Sequence, residues 1–235
     1  MHGDFMTERN SLVIMAKQPI AGRTKTRLVP PFNPQQAADL FEALMLDTIE
    51  LVLRIPNLEI IIAFSPSSAT EYFNRTRFPQ TALLPVDGSN IGECLYETAK
   101  MMIANNLAQI VLMNSDGPSL PPEYILQAFA LLENNDLVLG PSEDGGYYLC
   151  GFKKLFPQLF QGIAWSSARV LSQTLERAKN LELSVALTPI WYDIDAAADV
   201  GRLLRELPSL PKDILIHTRN FFQRIPVPEL RSLWD

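Results

Sequence analysis

Residues 12–28 read LVIMAKQPIAGRTKTRL, and the organisation of the chain follows from them. Leu12 to Ala16 are apolar or small, as in a strand buried on both faces. A glycine-containing loop follows, and Lys17, Arg23, Lys25 and Arg27 fall within its short span. No Asp or Glu occurs from Arg9 to Ala38, although the chain as a whole carries a formal charge of −6. At the chain's acid frequency such a gap arises by chance roughly once in thirty windows. Cations set just past a buried strand suit phosphate binding, and Gly22 permits backbone angles closed to other residues. Lys25 and Arg27 could neutralise a diphosphate or triphosphate, Arg with a forked contact. The GxxxxGK[ST] phosphate loop is absent. The plainer alternative is a solvated loop whose cations pair with the acidic remainder.

The 235 residues, 47% hydrophobic, suffice for one domain with a substantial core. The acidic balance argues against general binding of nucleic acid or anionic membrane, so the basic loop points to a small anionic ligand. Cys94 and Cys150 lack metal-ligand neighbours and read as buried free thiols of a reducing cytoplasm. No apolar run reaches membrane-spanning length and no signal peptide is visible. Residues 1–10 are expected to fray, and 11–235 to form a single domain.

Outward from the basic loop, Asn33 and Pro34 start a helix over 34–53, whose Leu40, Phe41, Leu44, Thr48, Leu51 and Val52 recur at helical spacing. Strands are expected at 58–64, 82–84, 109–113, 136–139, 147–152 and 184–187. Helices are expected at 67–74, 92–105, from Pro121 to about 133, and at 167–180, 196–207 and 212–223. Strands alternating with helices predict an α/β fold with a mainly parallel sheet covered on both faces. Ligands of such sheets bind beyond the carboxyl ends of the strands. The basic loop, the loop at Asp116 and the loop 143–146 all follow expected strands and should converge on that edge.

Each further motif has two readings. Asp116 is either a turn residue before Gly117-Pro118 or a ligand for a hard cation such as Mg²⁺ or Mn²⁺. Glu143-Asp144-Gly145-Gly146 is either a type I′ hairpin turn or a segment whose glycines admit a substrate against the backbone while an acid contacts hydroxyls or acts as base. Alternation puts Asp193 and Asp195 on one face of an extended segment, and Asp195 could also cap the next helix. Ser166 or Ser167 should cap the helix after Trp165, itself a candidate pocket wall. His2 and His217 are too few for a His-based metal site, and His217 reads as structural. No nucleophile elbow is visible.

Taken in order, MAKQPIAGRTKTRL (15–28), NSDGPSLPP (114–122), EDGGYYLCG (143–151), the Trp165 helix entry and WYDIDAAADV (191–200) resemble a bacterial family of glycosyltransferase-A-type, nucleotide-diphospho-sugar transferase-like proteins. Some members are labelled arsenosugar-biosynthesis glycosyltransferases. The family is similar to the 2-phospholactate and molybdenum-cofactor guanylyltransferases. The resemblance covers 12–207 and implies a GT-A, Rossmann-like fold. It implies a cytoplasmic transferase that uses Mg²⁺ or Mn²⁺. The substrates would be a nucleotide-sugar or nucleoside triphosphate and a small acceptor. Glycosyl transfer leads and nucleotidyl transfer with release of pyrophosphate is the alternative; a non-catalytic nucleotide-binding protein comes third. On this resemblance the Gly22–Arg27 loop binds phosphates, with Lys25 and Arg27 at its basic positions, and Asn90 and Gly92 lie near the base; the cation cluster itself adds Lys17 and Arg23 to the expected phosphate site. Asp116 and Asp195 hold the metal. The functional reading of the remaining motifs, apart from the resemblance, expects Glu143, Asp144, Gly145, Gly146 and Trp165 to meet the substrate, with Lys25, Asp116 and Asp144 catalytic. The chain departs from the family at Asn114-Ser115-Asp116, commonly Gly-Ser-Asp. It departs again at 195–199, commonly Asp-Thr-Pro-Glu-Asp, where an ordinary helix start is missing.

Overall fold

A computed structural model describes residues 10–76, 81–104 and 109–225. The expected frayed terminus up to residue 9, His2, and Asn105 at the end of the expected third helix lie outside them. The order is β1 (Asn10–Lys17), α1 (Pro34–Leu53), β2 (Glu59–Ser65), α2 (Thr70–Arg75), β3 (Thr81–Pro85), α3 (Ile91–Ala104) and β4 (Gln109–Asn114). Then come α4 (Pro122–Leu132), β5 (Leu137–Pro141), β6 (Tyr147–Phe152), α5 (Val170–Asn180), β7 (Val185–Leu187), α6 (Ala197–Glu206) and α7 (Ile216–Arg224).

Among the described residues one sheet runs β3-β2-β1-β4-β6-β5-β7. Every pairing is parallel except the two that β6 makes, with β4 and β5. The exception has a simple cause: residues 142–146 are too few for a crossover, so the chain can only reverse after β5. The strands alternate between two cores. Leu12, Ile14, Ile60 and Ile62 face Phe41 and Met45 of α1 and Ile125 and Phe129 of α4. Val13, Ile61 and Leu112 face Leu95, Ala99 and Met102 of α3 and Ala178 of α5. The back of α1, through Leu40 and Leu44, packs on Leu203 of α6 and Phe221 and Phe222 of α7. Cys94 and Cys150 are buried free thiols.

Helix starts follow the expectation where the cap is local. Asn33 accepts from Gln36 N at 2.9 Å and the Gln36 side chain returns to Asn33 N at 2.7 Å, a reciprocal cap that starts α1. They depart from it where the cap comes from elsewhere. Helix α5 begins at Val170, not 167. Ser166 is left-handed, the Ser167 hydroxyl bonds Ala164 O, and Leu171 N donates to Gly145 O at 3.0 Å. Helix α7 begins at Ile216, not 212. Asp47 of α1 accepts from His217 N at 3.0 Å and Thr218 N at 2.7 Å, a cap supplied across the α1–α7 contact.

Candidate nucleotide and metal site

The carboxyl ends of β1, β2 and β4 border a cavity of about 670 Å³. The basic loop closes its own backbone: Arg23 N and Thr24 N both bond Ile20 O at 3.0 Å, and the Thr24 hydroxyl takes Ile20 N. Gly22 has φ +76° with no atom near a Cβ position, so it serves the turn and lies off the cavity wall. The turn sends Lys17, Arg23 and Arg27 to the cavity.

Lys25 behaves differently. Its backbone is left-handed, and its side chain, 5% exposed, runs beneath the wall. Its ammonium donates to Asp116 Oδ2 at 2.5 Å and to Asp195 Oδ1. Lys17 and Lys25 share the Phe41 ring, at 5.5 and 5.7 Å from its centroid. Burial pulls the Lys25 pKa down, but Asp116 and Asp195 more than offset it and the net shift is upward. For Lys17 burial, then the charge of Lys25, gives a net lowering.

Asp116 lies two residues past the end of β4. Its main-chain carbonyl accepts Ile194 N at 3.2 Å, which fixes the segment 191–195 alongside. That segment is also anchored by Trp191 N to Pro141 O and Glu143 N to Trp191 O, both 3.0 Å. Asp193 and Asp195 thereby line the same cavity, as alternation predicts. Asp195 does not cap α6. Asp199 does so from inside the helix, its Oδ2 accepting Asp195 N and Ala196 N at 3.0 and 2.7 Å, which leaves the Asp195 carboxylate for Lys25. Arg27 approaches the same carboxylate at 3.8 Å. For Asp195 burial opposes ionisation, Lys25 outweighs it, and the pKa falls. Asp193 goes the other way: burial first, then the charge of Asp116, raises its pKa well above the usual range, while Asn114 Nδ2 donates to it at 2.5 Å.

The 142–146 hairpin supplies Ser142, Asp144 and Gly146 to the cavity. The turn is real but not of type I′, because neither Glu143 nor Asp144 has positive φ; only Gly145 does, at +87°. Asp144 Oδ1 accepts from Ser142 Oγ at 2.8 Å and Gly146 N at 2.9 Å, which pins an otherwise exposed carboxylate at the cavity mouth. Glu143 leaves the cavity to pair with Arg202 of α6 at 2.8 Å. Gly145 packs against Ala168. Asn90 lines the cavity, and its side chain accepts Glu93 N at 3.1 Å at the start of α3. Gly92 lies under the Trp165 indole, which forms a wall shared with a second hollow of about 370 Å³ lined by Tyr96 and Phe160.

Sequence reasoning did not include Asp193 or Asn114 in the site; the alternating Asp-x-Asp was the available signal. Lys25, assigned to phosphate, is bonded to carboxylates instead. Among the described residues, three metal-type ligand atoms meet within 4.8 Å of one another at Asp47, Glu50 and His217. There both Asp47 oxygens already accept helix N–H groups and His217 bonds Glu50 at 3.0 Å, which is a structural clasp. Among the described residues no helix is long and apolar enough to cross a membrane.

The mainly parallel seven-stranded sheet flanked by helices has the nucleotide-diphospho-sugar transferase fold. The chain belongs to the family described as "Uncharacterized protein conserved in bacteria (DUF2064)", whose model matches residues 48–167. A provisionally named nucleotide-diphospho-sugar transferase from Desulfovibrio desulfuricans G20 is 28% identical, with TM-score 0.85 over 95% of this chain and 97% of that one. The Rv0371c protein of Mycobacterium tuberculosis H37Rv, solved with manganese, is 17% identical, with TM-score 0.52 over 84% and 98%. CMP:2-keto-3-deoxy-manno-octonic acid synthetase, solved with CTP, is 11% identical, with TM-score 0.51 over 86% and 99%. At those identities the last two share the fold alone. Among curated proteins no match is found.

Proposed function

We propose that this chain is a metal-dependent transferase that takes a nucleotide-diphospho-sugar as donor and passes the glycosyl group to a small acceptor. One observation carries the reading: Lys17, Arg23 and Arg27 meet Asp116, Asp193 and Asp195 around a single cavity at the sheet's carboxyl edge. The cations neutralise the diphosphate, and Asn90 lies where the nucleoside can reach it. Asp116 and Asp195 are the proposed holders of Mg²⁺ or Mn²⁺. The donor set fits a hard cation, because it consists of carboxylate oxygens and Asp116 Oδ1 is buried without a hydrogen-bond partner. When bound, such an ion supplies charge neutralisation to the departing nucleoside diphosphate. Asp144, held by Ser142 and Gly146, takes the acceptor hydroxyl's proton as the acceptor oxygen bonds the anomeric carbon and the sugar–phosphate bond breaks. Trp165 and Gly146 border the acceptor side.

The name and high structural similarity of the Desulfovibrio protein support glycosyl transfer. The number of cations on one loop favours a second reading, transfer of a nucleoside monophosphate from a triphosphate with release of pyrophosphate. Melting curves with Mg²⁺ or Mn²⁺ and panels of nucleotide-sugars and nucleoside triphosphates separate the two. Stabilisation by a nucleotide-sugar, with nucleoside diphosphate formed on adding acceptor, supports the first. Stabilisation by a triphosphate, with pyrophosphate formed, supports the second. Binding that survives Asp116→Ala undiminished defeats the metal assignment. Unchanged affinity in Arg23→Ala with Arg27→Ala defeats the phosphate assignment.

A further inference from the structure

We propose that Lys25 is the resident counter-ion of the acidic cluster and has to leave before a divalent cation can enter, so that metal binds only together with the nucleotide's phosphates. The inference rests on the reading of Asp116 and Asp195 as metal ligands. It concerns what occupies them beforehand.

The Lys25 ammonium lies between the two carboxylates, bonded to Asp116 Oδ2 at 2.5 Å and to Asp195 Oδ1. Its side chain is 5% exposed, so water does not screen it. Arg27, largely exposed, stands 3.8 Å from Asp195, so the two carboxylates face two cations, of which Lys25 is the unscreened one. A metal ion at the same oxygens would stand beside a buried ammonium, a like-charge contact in a poorly screened place. One acceptor is nonetheless spare: Asp116 Oδ1 is buried and unpartnered, an oxygen that Lys25 does not satisfy.

Lys25 runs over the Phe41 ring beside Lys17, which faces the cavity, so phosphates gathered by Lys17, Arg23 and Arg27 arrive next to the Lys25 stem. They offer its ammonium a new anion as they bring the cation that takes over the carboxylates. A lysine kept permanently on Asp116 and Asp195 would make the cluster purely structural, and the experiment distinguishes the two.

Mn²⁺ is titrated by electron paramagnetic resonance, without nucleotide, into the wild type, Lys25→Met, and Lys25→Met with Asp116→Asn. Lys25→Met is expected to bind Mn²⁺ at least about tenfold more tightly than the wild type, the effect of removing one adjacent positive charge. Asp116→Asn should abolish that gain. In melting curves the wild type should ignore Mn²⁺ alone and respond to Mn²⁺ with one of the common nucleoside diphosphates, whereas Lys25→Met should be rescued by Mn²⁺ alone. Wild-type binding of Mn²⁺ alone as tight as that of Lys25→Met overturns the inference. So does a Lys25→Met protein without a gained site when the wild type responds to Mn²⁺ with nucleotide; the proposed function then stands. The reverse pattern, with Mn²⁺ gained by Lys25→Met through Asp116 and no wild-type response to any nucleotide, upholds the counter-ion and defeats the proposed function. If Lys25→Met does not fold, Lys25→Arg replaces it in a narrower test. Wild type and Lys25→Arg should both exclude Mn²⁺ when nucleotide is absent, and binding by the wild type alone overturns the inference.

Discussion

Replacing Gly145 by alanine should damage the hairpin that carries Asp144 far more than the same change at Gly22 damages the basic loop. Both glycines have positive φ, +87° and +76°, so each substitution incurs a left-handed backbone cost of about 1–2 kcal/mol. The alanine also restricts the unfolded chain, which returns roughly 0.4–1 kcal/mol. At Gly22 nothing lies within 4 Å of the added Cβ, so no further cost arises and the loss is about 1.5 kcal/mol or less. At Gly145 the Cβ would lie 2.8 Å from the carbonyl carbon of Ala168 and closer to its oxygen. These are backbone atoms just before α5, and the Gly145 carbonyl itself receives Leu171 N, so neither side can yield by a rotamer change. Overpacking of this kind adds about 1–3 kcal/mol. For a chain of this length each kcal/mol moves the melting temperature by roughly 2–4 °C. Gly22→Ala should therefore lower it by about 6 °C or less and Gly145→Ala by about 2–12 °C more than that, measured by calorimetry with urea unfolding as a check. Equal losses in the two variants would refute the described contact between the hairpin and the start of α5.

Gly92→Ala should push the Trp165 indole from its seat, because the new Cβ would come within 2.7 Å of indole Cδ1 and closer to Nε1. A penalty of about 1–3 kcal/mol is expected, and it should vanish in a Trp165→Ala background. Burial pushes the Cys150 thiol from 9.0 up to about 12. Native protein at about pH 8 should therefore resist thiol reagents that react fully in denaturant. Because the folded pKa exceeds the unfolded one, the native state holds the proton longer, and stability should fall from about pH 9 to 12 with a component missing in Cys150→Ala. Asp47→Ala removes both acceptors at the start of α7 and should cost about 2–3 kcal/mol; Asp47→Asn, which keeps one acceptor, should cost less, both read from urea midpoints.

The parallel sheet was legible because its strands are short apolar runs, with Leu12 and Ile14 on one core and Val13 on the other. The edge that gathers the loops was legible for the same reason: parallel strands that end on one edge place their succeeding loops side by side. Helix α1 announced itself through a cap four residues long, Asn33 to Gln36. Helix α7 could not, since its cap is Asp47, 170 residues before His217. The site divides the same way. That Arg23, Asp116 and Asp195 would share a cavity follows from strand ends. That Lys25 would choose Asp116 and Asp195, 91 and 170 residues away, over solvent has no local signal. Glu143 looked like its neighbour Asp144, and only the Arg202 guanidinium on α6 separates their fates. Asp193 carried a signal in its alternation with Asp195, but its weight comes from burial beside Asp116 and from Asn114.

The charge arrangement is itself an argument for a ligand. Buried ion pairs seldom stabilise a fold more than apolar side chains of similar volume, so Lys25 between two carboxylates is poorly explained as a stability device. The surroundings make it less so. Two ammonium groups share the Phe41 ring, and the burial of Lys17, then the charge of Lys25, lowers the Lys17 pKa. On the acidic side burial, then the charge of Asp116, opposes the ionisation of Asp193, and Asp116 Oδ1 is buried without a partner. Like charges are therefore gathered twice, once with each sign, within one cavity wall. A ligand that brings anionic oxygens and a divalent cation together relieves both, giving the lysines phosphate and the carboxylates metal. An inorganic phosphate relieves only the first and a lone metal only the second. Under the proposed function that ligand is a metal-bound nucleotide, a diphospho-sugar in the first reading and a triphosphate in the second.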